Sequence, residues 1–363
     1  MALGKKTMVA ARDPVERYKT MKKHVELPTF YFLFRAAALI VAVGIGLLAP
    51  PVPAQGQPHR ADWFRQARWG VFTHYMADTV LAPETISLES WNAAVDRFDV
   101  AALANLLDQI GAGYYIITLG QNSGYYCSPN AAYDRHTGIS PSKCSRRDLV
   151  ADLYEALHPK GIRLMVYLPS GAPDRDPEAV TALGWQRGND GPDPRLASFQ
   201  RKWEDVIREW SFRWGPKVSG WWFDGCYYSD LMYNHADPPN FKSFADAARA
   251  GNPDSILGFN PGVKYPIITL TPEEDYTAGE IEEDSRVVCT GPLVEQAQFH
   301  MLSYLGPRWA ASPPRFTDEQ AVSATRAIVE KGGVVSWDVP IKSNGQIPEP
   351  FAKPLAAIGA AMK

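Results

Sequence analysis

The sequence predicts a (β/α)8 barrel, and three observations predict it. Strand-like runs and helical patterns alternate along the body of the chain through eight units, the pattern of a parallel sheet with helices outside it. One run, Ser219-Gly220-Trp221-Trp222-Phe223-Asp224-Gly225, is continuously apolar and aromatic until it reaches its carboxylate. A run without polar alternation belongs to a strand buried on both faces. No Gly-rich phosphate fingerprint follows the first strand, which counts against the nearest rival, a doubly wound open sheet.

The body follows a leader. Residues 36–49 form an uncharged apolar run, too short for a comfortable membrane span. Pro50-Pro51-Val52-Pro53-Ala54-Gln55 comes next, and small residues at Val52 and Ala54 fit a signal-peptidase cut after Ala54. Met21-Lys22-Lys23 would make a more ordinary start than Met1. The alternative is an uncleaved anchor. Either way the body, 55–363, is expected outside the cytoplasm, secreted or periplasmic. It is expected to be one catalytic domain, of a length that suits a single barrel.

The units follow in order. The strands are expected at 69–74, 113–120, 163–168, the Trp221 run and 255–260, then weakly at 275–281 and 301–305, and clearly at 333–339. Between them, residues 99–110 place Ala102, Leu103, Leu106, Leu107 and Ile110 on one helical face. Residues 147–157 do the same with Leu149, Val150, Leu153 and Leu157, and Gly161 follows as a stop signal. Helices are also expected at 199–214 and 241–250, and from Thr317-Asp318-Glu319-Gln320, which has an acidic first turn. Residues 189–194 read as a loop by composition.

Composition narrows the function. A net charge of −3, without a like-charge block or basic stripe, gives no reason to expect nucleic acid. Aromatic residues make up 12%, with 11 Trp, which suits sugar rings packing on aromatic faces. Cys127, Cys144, Cys226 and Cys289 show neither a C-x-x-C pair nor a Cys/His metal spacing. Their disulfide pairing cannot be deduced, and neither metal nor cofactor is expected. Cys226 reads as a small packed residue.

Parallel strands share one carboxyl edge, so residues at strand ends share one mouth. His74 ends the first strand. Gln121, Asn122 and Tyr125 follow the second. Asp224 ends the fourth and Asn260 the fifth. Glu280, Glu282 and Glu283 close the sixth, and Trp337 and Asp338 lie at the eighth. Carboxylates, a His and aromatics around one mouth point to glycoside hydrolysis. The plain alternative for Asp224 is a helix cap or turn residue.

Five segments resemble the α-L-fucosidase family, glycoside hydrolase family 29. Arg68-Trp69-Gly70-Val71-Phe72-Thr73-His74-Tyr75 resembles its opening strand. Ser90-Trp91 falls at its E-W-Y stretch. Trp222-Phe223-Asp224-Gly225 resembles its nucleophile strand, and Asp275-Tyr276-Thr277-Ala278-Gly279-Glu280 its D-Y-x-T-P-E segment. Residues 338–348 resemble its closing N-V-x-P-x-x-D-G-x-I-P. Two departures stand out. Gln121-Asn122 occupies the place of the family's two sugar-binding histidines, and the β-sandwich common after the barrel is not expected here.

The resemblance implies a retaining exo-glycosidase that releases a terminal α-L-fucosyl residue from glycans. Asp224 would be the nucleophile and Glu280 the acid/base, about 5–5.5 Å apart, with Glu282 or Glu283 as the alternative acid. His74, Tyr75, Trp91, Gln121, Asn122, Tyr125, Trp222, Asn260, Glu282 and Trp337 are the expected sugar-binding residues. For His74 and the tryptophans, plain packing is the competing role. Two rival functions remain. One is hydrolysis of another α-L-glycoside, an L-galactoside or L-glucoside, raised by Gln121-Asn122. The other is a carbohydrate-binding pseudoenzyme.

Overall fold

A computed structural model describes residues 59–186 and 193–363, all within a compact unit that spans Gly56–Lys363. The expected leader and its cut after Ala54 lie outside the described residues, as does most of the loop expected at 189–194.

Nine strands form among the described residues: β1 Trp69–Thr73, β2 Tyr114–Thr118, β3 Arg163–Pro169, β4 Gly220–Asp224, β5 Ile256–Phe259, β6 Leu293–Val294, β7 Ala297–Gln298, β8 His300–Tyr304 and β9 Val334–Asp338. Seven of them make one curled sheet in the order β5-β4-β3-β2-β1-β9-β8, with every neighbouring pair parallel. The short strands β6 and β7 form a separate antiparallel pair. Helices connect the main strands, giving an α/β fold.

The strands occur where buried runs occur in the sequence, with one exception. Residues 275–281 form no regular strand. They make isolated bridges, Tyr276 with Gln298 and Glu280 with Leu302. The Asp275 N–H donates to the Leu257 carbonyl at 2.9 Å, and the Ile281 N–H to the Leu302 carbonyl at 3.0 Å. The segment therefore touches both β5 and β8. Its irregularity has two causes. Gly279 sits at φ +63°, and a Cβ there would lie 1.9 Å from the His300 carbonyl oxygen, so the run cannot stay extended. Side chains also take over the ladder: Leu257 N–H donates to Asp275 and Phe259 N–H to Glu274, each at 2.9 Å.

The helices begin at the expected signals. Asp99 caps Val100–Gln109, and Asp148 caps Leu149–Leu157. Thr317 and Gln320 form a reciprocal capping box on Asp318–Val329, so two orphan helix-end donors are satisfied at once. Helix Ala197–Trp214 buries Trp203, Trp210 and Trp214 against the sheet. Each such side chain contributes about 1.5–3 kcal/mol by leaving water. The indole N–H groups of Trp203 and Trp210 donate to the carbonyls of Pro169 and Pro129.

Side chains alternate across each strand. Phe72, Tyr114, Ile116, Met165, Tyr167, Trp222, Ile256, Tyr276, Ala278, Leu302 and Val334 pack together inside the curl. Val71, Tyr115, Ile117, Leu164, Val166, Trp221, Phe223, Leu257, Met301, Val335 and Trp337 belong to the core beneath the helices. This parity decides which strand-end residues reach the mouth. All four cysteines are buried free thiols. Burial pushes Cys144 up to about 12, and Cys127 and Cys226 further, so Cys226 beside Asp224 is a poor nucleophile.

Candidate active site

Asp224 ends β4 pointing into a cavity of about 750 Å3. The apolar strand before it fixes the backbone, and Gly225, at φ +78°, turns the chain away so that the carboxylate stands free. Donors converge on it. Oδ2 accepts from the Tyr167 hydroxyl at 2.5 Å and from Gln121 Nε2 at 3.3 Å. Oδ1 accepts from the Gly225 N–H and from Asn260 Nδ2, each at 2.8 Å. Such donors hold the orientation of the carboxyl group. Gln121 Nε2 also donates to the Tyr167 hydroxyl. Tyr167 in turn stacks on Trp222, ring centroids 5.2 Å apart and planes at 14°. The Trp222 indole is fixed by a bond to the Ala278 carbonyl.

Glu280 faces Asp224 across the cavity. The same Asn260 amide that donates to Asp224 donates to Glu280 Oε2 at 2.6 Å. One nitrogen therefore ties the two carboxyl groups, and their nearest oxygens cannot be further apart than the two bonds laid end to end. Burial, with the negative charge of Asp224 second, pushes Glu280 up to about 7, against a downward pull from Asn260. A carboxyl group that keeps its proton up to that range can serve as a general acid.

His74 lies at the end of β1, with Nδ1 2.8 Å from Asp338 Oδ1. Burial works against its imidazolium, but the Asp338 carboxylate outweighs burial and the pKa is raised. Asp338 Oδ2 accepts the Ala310 N–H at 2.6 Å. That anchors the loop carrying Arg308 and Trp309 over the cavity, with Ala310 itself at φ +54°. The Trp309 ring lies 5.7 Å from the His74 ring. On the rim, Arg175 pairs with Asp78 at 3.0 Å. Among the described residues, no cluster of three or more His, Cys, Asp or Glu side chains could hold a metal ion.

The cavity brings together His74, Gln121, Asn122, Trp222, Asp224 and Glu280 of the expected residues. Asn260 is completely buried behind the two carboxylates and holds them, so it does not bind sugar directly. Five other expectations are corrected by burial and position. Tyr75, Trp91 and Trp337 are inaccessible. Their polar atoms are bonded to the Ser343 carbonyl, the Tyr126 carbonyl and the Thr325 hydroxyl, which makes them core residues. Glu282 is exposed and lies outside the cavity lining, as does Glu283, which pairs with Arg286. Tyr125 also lies outside that lining, with Lys143 Nζ 5.6 Å from its ring. Sequence reasoning missed Tyr167, Trp309 and the Arg175–Asp78 pair. Tyr167 carried a signal: it stands level with Trp222 in register, on the inward parity of β3.

The sequence matches the family model described as Alpha-L-fucosidase over residues 84–363. No curated protein matches the chain. Among solved structures, an endo-fucoidan hydrolase from glycoside hydrolase family 107, P5AFcnA, superposes with a TM-score of 0.64 at 15% identity, over 85% of this chain and 94% of its own. The alpha-L-fucosidase AlfC from Lactobacillus casei, in complex with alpha-L-fucose product, superposes with a TM-score of 0.58 at 15% identity, over 84% of this chain and 98% of its own. At these identities the likeness is one of fold. The family match covers most of the chain and includes the strand that carries Asp224 and the segment that carries Glu280: the chain belongs to the alpha-L-fucosidase family of glycoside hydrolases.

Proposed function

We propose that the chain is a retaining exo-α-L-fucosidase that releases a terminal α-L-fucosyl residue from glycans, with Asp224 as nucleophile and Glu280 as acid/base. The observation that carries the reading is the Asn260 bridge. It keeps the nearest oxygens of the two carboxyl groups no further apart than a 2.8 Å and a 2.6 Å bond laid end to end, which supports the short spacing of a retaining pair, roughly 5–5.5 Å, over the roughly 6.5–9.5 Å that an inverting enzyme needs for its water. In the first step Glu280 gives its proton to the departing oxygen while an Asp224 oxygen bonds to the anomeric carbon. In the second, the Glu280 carboxylate takes a proton from water, the resulting hydroxide attacks the anomeric carbon, and the Asp224 bond breaks. His74 is placed to meet a ring hydroxyl, and Trp222 and Trp309 wall the sugar.

A panel of 4-nitrophenyl α-L-glycosides followed by proton NMR tests this. The expected outcome is the highest rate on the fucoside, with the α anomer of fucose formed first. The β anomer first would overturn retention. A second reading, the same machinery on an L-galactoside or L-glucoside, draws support from Gln121: its Nε2 is committed to Tyr167 and Asp224, where the family's histidine would meet the sugar. The fold reading that accompanies the proposal is an eight-unit barrel closed by residues 275–281 between β5 and β8, a single catalytic domain over 55–363. Export through residues 1–54 belongs to the same proposal. Secreted material should begin at Gln55 on N-terminal sequencing.

A further inference from the structure

Asp224 lines two cavities. Besides the large one, it borders a smaller chamber of about 170 Å3, and Gln121 and Asn122 are the other residues shared by both. Glu280 lines the large cavity and is absent from the small one. In a retaining pair the leaving group departs beside the acid and the nucleophile attacks from the opposite side. A chamber bordered by the nucleophile alone therefore receives something attached to the glycone, not the departing aglycone.

The chamber's wall is aromatic and fixed. The Trp185 indole packs close against Gly171, where a Cβ would approach to 2.6 Å of its ring. Its N–H donates to Asp174 Oδ1 at 2.6 Å, which holds the ring in place while leaving it half-buried. Tyr227, 53% exposed, stands across from it on the Asp224 side. Aromatic faces held open beside a sugar-cleaving carboxylate match the apolar C–H face of a pyranose.

We infer that the chamber floored by Trp185 is a subsite for one sugar linked to the sugar being cleaved. The inference rests on the retaining reading above and extends it from a bare terminal fucosyl residue to one that carries a branch or a chain extension.

The test is calorimetry on the whole protein, with ligands that have no aglycone to lose: L-fucose, and L-fucose bearing a single β-D-galactosyl or β-D-glucosyl group at O2, O3 or O4. At least one disaccharide binds about tenfold more tightly than L-fucose. Trp185→Ala removes that gain and leaves L-fucose affinity unchanged, and Trp185→Phe retains most of it. No gain for any disaccharide overturns the subsite, as does a gain that survives Trp185→Ala. Turnover of 4-nitrophenyl α-L-fucoside, measured in parallel, separates the two readings. Its absence with the gain intact sinks the retaining hydrolase and leaves the subsite standing. Its presence without the gain sinks the subsite alone.

Discussion

Neighbouring residues at the ends of the same strands have opposite fates. His74 lines the cavity and Tyr75 is sealed in the core; Asp338 holds His74 and Trp337 packs beneath a helix. On β4, Phe223 lies in the outer core and Asp224 points into the mouth. In each pair the chemistry sits on the inward parity and the packing on the outward one. The period of two along a strand sets this. Reaching the carboxyl edge is necessary for a site residue, and facing inward decides.

That comparison can be broken by substitution, most severely at β4. Asp224→Asn removes nearly all turnover, a loss of about 10^3-fold or more, because no covalent bond to the anomeric carbon can form. Full activity in that variant returns Asp224 to the role of a strand-end turn residue. Glu280→Ala loses about 10^2–10^4-fold on substrates with poor leaving groups and far less in the first step on 4-nitrophenyl fucoside, which needs little protonation. Wild-type rates on poor leaving groups would instead return the acid role to Glu282 or Glu283, exposed as they are.

The two neighbour pairs separate by readout. His74→Asn, whose side-chain amide can keep a donor on the buried Asp338 carboxylate, lowers kcat/KM by about 10–100-fold with a smaller change in thermal stability than His74→Ala, since it loses a sugar contact worth about 1.5–3 kcal/mol as a hydrogen bond to a charged group. Tyr75→Phe does the reverse. It lowers stability by about 1 kcal/mol, the Ser343 carbonyl having lost its donor, and leaves kcat/KM within about twofold. Denaturant melts and steady-state kinetics on the same preparations check both. A kinetic defect in Tyr75→Phe would return that residue to the sugar site.

The smallest effect is in pH. Glu280 must be protonated for the first step, so activity falls as pH rises through its pKa of about 7. Asn260 pulls that value down. Asn260→Ala should therefore move the basic limb of the kcat/KM profile upward while lowering its height. A limb that stays in place would mean that another group titrates there.

Much of this was legible in the sequence, for physical reasons that vary by element. Seven parallel strands are buried on both faces, so their apolar runs are continuous, and acid or hydroxyl caps mark the helix starts. The segment at 275–281 was read as a weak strand because its pairing is shared with the side chains of Glu274 and Asp275, and a pattern of apolar residues does not encode that. Asp224 and Glu280 were visible as carboxyl groups at strand ends. Tyr75 and Trp337 were misplaced because adjacency to a site residue was read as membership, although one step along a strand reverses the face. Trp91 is a helix residue buried beneath the sheet, and no strand rule applied to it. Trp309 and Arg308 come from a loop whose position depends on the Asp338 bond to Ala310, a contact between segments far apart in sequence.

The central claim is that Asp224 and Glu280 are nucleophile and acid/base on opposite sides of one anomeric carbon. Azide rescue tests it most directly. With 4-nitrophenyl α-L-fucoside, Glu280→Ala plus azide should yield the α-fucosyl azide. The fucosyl-Asp224 intermediate still forms, and azide then displaces Asp224 without needing a base. Asp224→Ala plus azide should yield the β-fucosyl azide, because the anion enters from the side the carboxylate has vacated. Proton NMR of the two products distinguishes them. The same anomer from both variants, or α from Asp224→Ala, would contradict the assignment.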